Sequence, residues 1–155
     1  MCDYSLMAVP NRLAREGEDL VIHRFPTGSL GLASPDDVRC ASEPRPAVRQ
    51  TVWQKIRLFF DPPAAQAVCA VCIPPGARLE LSEIPPRLQQ QWGICAEEEA
   101  VFTQLSAAIN TYRDALRFGN GKEVRLQDLR EGMRVRVLDM AGAEEPQLAA
   151  LRTLG

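Results

Sequence analysis

The residues with the most chemical potential are cysteines. Loss of the initiator methionine would expose Cys2 as an N-terminal cysteine. Its α-amine, with an ordinary pKa of about 7.7–8.0, can serve as the base for its own thiol, the logic of N-terminal-nucleophile hydrolases and glutamine amidotransferases. His23, the single histidine, would supply the imidazole of a Cys–His dyad with Cys2 and Asp3. Cys69-Ala70-Val71-Cys72 has the C-x-x-C spacing of a zinc knuckle or a redox pair. Its apolar, β-branched surroundings read as a strand, however, and residues three apart on a strand face opposite ways, so a metal-thiolate site at Cys69 and Cys72 is the weaker alternative. Buried cysteines behaving as small hydrophobes fit that segment better. With one histidine, three-histidine zinc, the facial iron triad and HExxH are excluded, and no cofactor is expected.

The basic residues point to a second chemistry. Of eighteen, only Lys55 and Lys122 are lysines. Arg134 and Arg136 alternate along one strand, and Arg117 and Arg125 flank a predicted hairpin. Together they form a candidate guanidinium stripe for phosphate or carboxylate groups. A formal charge of −2 and no basic block argue against nucleic acid as the partner, and no apolar run approaches a membrane span. Five cysteines, an odd number, and an N-terminus unlike a signal peptide predict free thiols in a reducing cytosol.

The elements that must position these groups are mainly strands. With 155 residues and 46% hydrophobic content, the chain should bury one core, and residues 1–140 read as a single domain. Alternation predicts strands in 17–25 (GEDLVIHRF), 51–60 (TVWQKIRLFF), 77–84 (ARLELSEI) and 133–140 (MRVRVLDM), with a strand buried on both faces at 67–73. Asn120-Gly121 predicts a hairpin tip between ALRF and KEVRL. Residues 26–50 read as a long irregular connection holding one helical turn, with Ser34 as N-cap and Pro35 at N1. Pro86 and Gly93 bracket a short helix. Residues 96–112 carry three glutamates at the start and Val101, Leu105, Ala108, Ile109 and Tyr112 at helical spacing, so a packed helix is predicted there. Residues 141–155 read as a peripheral tail.

An internal echo sharpens the fold. Residues 73–81 (IPPGARLEL), 129–137 (LREGMRVRV) and, more loosely, 15–22 (REGEDLVI) each run turn, glycine, two residues, then an alternating strand. Such turn–strand units typify curled sheets and barrels. The predicted class is mainly β (α+β): a small barrel or strongly curled antiparallel sheet with one packed helix near 96–112.

Three patches carry a family resemblance: Met1-Cys2-Asp3-Tyr4-Ser5-Leu6; residues 70–76 with a Cys-x-x-Pro-Gly-like turn; and Asp114 to Phe118 with Asn120-Gly121 and Leu129 to Gly132. In these the chain resembles a family of small bacterial proteins to which no activity is attached. The resemblance implies bacterial origin and little chemistry. It also implies a histidine shortly before Asp114, where this chain has Tyr112 and Arg113. The thin acid–base repertoire favours a non-catalytic binding or partner-recognition domain, taking a protein or a small anionic ligand, over a thiol enzyme.

Overall fold

The computed structural model describes residues 6, 8–43, 52, 67–105 and 112–140. All of the predicted strand at 51–60 except Val52, and the tail at 141–155, lie outside them.

Nine strands form one mixed sheet, in chain order β1 (Asn11–Leu13), β2 (Asp19–Arg24), β3 (Leu30–Ala33), β4 (Ala70–Cys72), β5 (Arg78–Ser82), β6 (Glu98–Gln104), β7 (Asp114–Phe118), β8 (Glu123–Arg125) and β9 (Arg134–Asp139). Among the described residues two complete helices accompany them, α1 (Pro35–Ser42) and α2 (Pro86–Trp92), with a 3-10 turn at Leu126–Asp128. The strand order is β1-β4-β3-β2-β9-β5-β6-β7-β8. Every pairing is antiparallel except β1 with β4, which corrects the expectation of a wholly antiparallel sheet. Among the described residues strand pairing does not close the sheet into a barrel. It curls far enough for the Gln127 side chain to reach β3, accepting from the Leu30 N–H (2.9 Å) and donating to the Leu30 carbonyl (2.8 Å). That amide satisfies one backbone pair of β3 as a neighbouring strand would.

Alternation sorts the two faces. Leu20, Ile22, Leu79, Leu81, Val135 and Val137 are almost wholly buried, and cross-strand neighbours stack inward: Leu20 on Val135 on Leu81, and Val137 on Leu79 on Ala100 on Phe118. β3 and β4 are buried throughout, because a second small cluster of Leu6, Phe25, Ala33 and Ala70, with Val38 of α1 against it, covers their reverse face. Gly31 lets them pack closely: a Cβ would lie 2.6 Å from Leu6 Cδ1 and 3.0 Å from Phe25 Cε2, so a larger residue would have to displace those side chains.

The echo is structural as well as sequential. Gly17, Gly76 and Gly132 have φ of 75°, 96° and 90°, a region that favours glycine. Each glycine N–H donates to a carbonyl on a neighbouring strand, and the same neighbour donates back to the carbonyl after the glycine. The partners are Val137 (2.8 and 2.9 Å), Phe102 (2.8 and 2.8 Å) and Ile22 (2.8 and 2.9 Å). The strands these turns feed, β2, β5 and β9, are the centre of the sheet.

Two sequence expectations fail here. Residues 30–33 (LGLA), assigned to the irregular connection, form β3. The stretch predicted as a helix over 96–112 begins instead with β6. The supposed helical stripe is the wrong set: Val101, Leu105 and Tyr112 are exposed, whereas the period-2 pair Ala100 and Phe102 is buried. Pairing with β5 and β7 on either side satisfies the backbone of β6 and buries that pair, which outweighs the high helix propensity of AEEEA.

A candidate anion-binding groove

The four arginines singled out from the sequence are not brought together. Arg134 and Arg136 lie on β9, Arg117 on β7 and Arg125 on β8, with β5 and β6 between β9 and β7. Each is held by a carboxylate. Arg136 donates two hydrogen bonds to Asp19 (2.7 and 3.0 Å), Arg117 pairs with Glu123 (2.7 Å), Arg125 with Asp128 (3.0 Å) and Arg134 with Glu83 (3.3 Å). Arg78 and Glu99 (2.7 Å) continue the pattern. The outer face is thus a set of ion pairs, most of them across strands and one, Arg125 with Asp128, between residues three apart, rather than a cationic stripe. Its charges shift one another: the Arg136 guanidinium holds the Asp19 carboxyl below the usual carboxylate range. Arg12 does the same to Glu18 through a direct hydrogen bond, helped by the Arg15 N–H (3.0 Å).

Cys2 lies outside the described residues. Cys40, Cys69 and Cys95 are free, but Cys72 is disulfide-bonded, which corrects the expectation that the thiols are all free. Half of a disulfide offers no thiolate, so Cys69 and Cys72 do not form a metal-thiolate pair in this structure. Among the described residues, no group of three or more His, Cys, Asp or Glu side chains is placed to hold a metal ion. His23, half-buried on β2, sits edge-on to Phe25 (5.0 Å) with its Nδ1 3.7 Å from Glu131 Oε1.

Glu131 leads to a site that the sequence reading missed. An open groove of about 750 Å³ lies between α2, the end of β2 and the glycine turn before β9. Three guanidiniums line it: Arg24, Arg87 and Arg130. Arg24, the last residue of β2, donates its backbone N–H to Glu131 Oε1 (3.1 Å) and its guanidinium to the Gly28 carbonyl (2.8 Å). Arg87 on α2 and Arg130 on the turn are exposed, and neither guanidinium has a hydrogen-bond or ion-pair partner among the described residues. Asp128 and Glu131 share the rim, and Pro85, Leu88 and Leu129 supply apolar surface between the charges.

Both walls are held rigidly. Trp92 at the end of α2 is buried and stacks on Phe118 (6.1 Å between centroids, 24° between planes). Gly93 takes the left-handed C-cap conformation at φ 67°. Asn120, at the hairpin tip, donates to the carbonyls of Trp92 (2.9 Å) and Gly93 (3.1 Å) and accepts from the Lys122 N–H (2.9 Å). One side chain therefore shapes the hairpin and caps the helix that carries Arg87. The opposite wall is fixed by the Gly132–Ile22 hydrogen bonds and the Gln127 bridge to Leu30.

Arg24, Arg87 and Arg130 escaped the sequence reading because they come from three separate elements and share no motif. The echo placed Arg130 and Glu131 in a tight turn, which was the available signal. Comparison of the chain with protein-family models, curated proteins and solved structures gives no match.

Proposed function

We propose that this protein is a non-catalytic recognition domain that binds an anionic ligand in the groove formed by Arg24, Arg87 and Arg130. The observation that carries the reading is the pair Arg87 and Arg130. Their guanidiniums are unpaired among the described residues and face one groove, in a protein whose other candidate arginines are neutralised by carboxylates. An unpaired guanidinium offers a planar fork of donors suited to carboxylate or phosphate oxygens. In this reading the curled sheet serves as a barrel-like frame, bridged by Gln127, that keeps α2 and the 128–132 turn at a constant spacing. The backbone that carries the donors is then fixed before binding, so affinity is not spent on ordering a loop.

The test is titration of the full chain with inorganic phosphate and with succinate, followed by amide chemical shifts. Saturable shifts confined to residues 85–92 and 128–132, and lost in Arg87→Gln and Arg130→Gln, are the expected result. Absence of any saturable shift there with either anion refutes the reading.

The bacterial and cytoplasmic setting belongs to the same proposal. No helix among the described residues is long and apolar enough to cross a membrane. The Cys72 disulfide is the observation against a reducing compartment, where such bonds are rare.

A further inference from the structure

We propose that the occupant of the groove is an acidic peptide segment of a partner protein, with carboxylate side chains on Arg87 and Arg130 and an adjoining apolar side chain on Pro85, Leu88 and Leu129. This rests on the anion-binding reading above and names its ligand class. Three features select a peptide over a compact anion such as phosphate.

First, the rim is mixed in charge. Asp128 is held by Arg125, and Glu131 by the Arg24 N–H, so both carboxylates stay beside the guanidiniums. A compact dianion would feel both, whereas single carboxylates spaced along a chain can each meet one arginine. Second, the apolar surface between the charges gives a wholly polar anion nothing to bury, while a peptide presents an apolar side chain next to an acidic one. Third, the two unpaired guanidiniums stand on different elements, α2 and the turn before β9, across a cleft that is open rather than enclosed. Gln91, one helical turn beyond Arg87, adds an amide that can bond a passing backbone.

Terminally blocked hexapeptides carrying two glutamates and one leucine in every arrangement are titrated against the full chain by fluorescence anisotropy, alongside their glutamine counterparts. Amide shifts with inorganic phosphate alone are recorded in parallel. At least one glutamate peptide should bind, its glutamine counterpart about tenfold or more weakly, since a charge-assisted hydrogen bond contributes at least that factor. Arg87→Gln and Arg130→Gln should each weaken binding about tenfold. Arg78→Gln, which removes the same charge from the outer face, should leave it unchanged. Arg87 and Arg130 are exposed, so their replacement spares the core; Arg87→Lys, keeping charge without the fork, should retain part of the affinity. Equal binding of glutamine peptides, or a glutamate preference surviving both arginine substitutions, overturns the peptide proposal. Phosphate at the groove with no peptide binding also overturns it while leaving the anion-binding reading intact. Silence from peptides and anions alike overturns both.

Discussion

Replacing Gly17 or Gly132 by alanine isolates backbone strain from every other effect. Both glycines sit at positive φ, 75° and 90°, and a Cβ built on either meets nothing within 4 Å. The N–H groups that bond Val137 and Ile22 survive the change. What remains is the left-handed penalty for an L-residue, about 1–2 kcal/mol, against about 0.4–1 kcal/mol gained because alanine restricts the unfolded chain. The net destabilisation should be about 1 kcal/mol for each substitution, or a fall in Tm of about 2–4 °C for a chain of this size. The double variant should lose about 2 kcal/mol, the sum of the two, because neither substitution removes a contact the other depends on. Gly119→Ala is the control: its φ is not positive and its surroundings are equally open, so it should be near neutral. Urea unfolding read by Trp fluorescence, with an unchanged m-value, gives the four numbers. A loss above about 3 kcal/mol at either glycine would mean a steric role that the open space denies. No loss at either would mean that the turns do not require glycine at all, and the reasoning about the echo would fall.

Asn120→Ala should cost about 1–2 kcal/mol, because it strips two carbonyls at the end of α2 and one hairpin N–H of their partner; Asn120→Asp, which keeps the acceptor for Lys122 but loses both donors, should fall no closer to wild type than halfway. Urea midpoints measure both. Acid should destabilise the fold in a defined direction: Glu18 and Asp19 have folded pKa values below their unfolded ones, so their contribution is present above about pH 4 and is lost as pH falls through the folded values. Glu18→Gln should therefore flatten the stability profile below about pH 4.5, and a profile parallel to wild type would refute the assignment. Alkylation of the denatured protein without reductant, mapped by mass spectrometry, should label Cys40, Cys69 and Cys95 but not Cys72, which should react only after reduction; immediate labelling of Cys72 would restore the free-thiol expectation.

Where a segment's environment is settled locally, its sequence was sufficient. The alternating runs of β2, β5 and β9 named their own buried faces, because a strand with one face on a core must alternate. The glycine of each echo, the Asn-Gly tip and the Pro86 and Gly93 boundaries of α2 announced themselves for a similar reason: only certain residues tolerate those dihedral angles or the missing donor. Ser34 and Pro35 likewise marked the start of α1. Tertiary structure decided whatever depended on a neighbour. LGLA shows no alternation because β3 is covered on both faces, one of them by Leu6 and Phe25. Residues 98–104 satisfy a helical and a strand pattern at once, and only the vacant edges of β5 and β7 chose between them. Arg117, Arg125, Arg134 and Arg136 looked like an anion stripe until strand order gave Arg117, Arg134 and Arg136 a carboxylate each and Arg125 took Asp128 three residues on, while Arg24, Arg87 and Arg130 became a groove only when three elements met. A linear pattern reports which side of a strand is apolar; a charge's partner is set by which strands lie side by side, and that is a property of the folded chain alone.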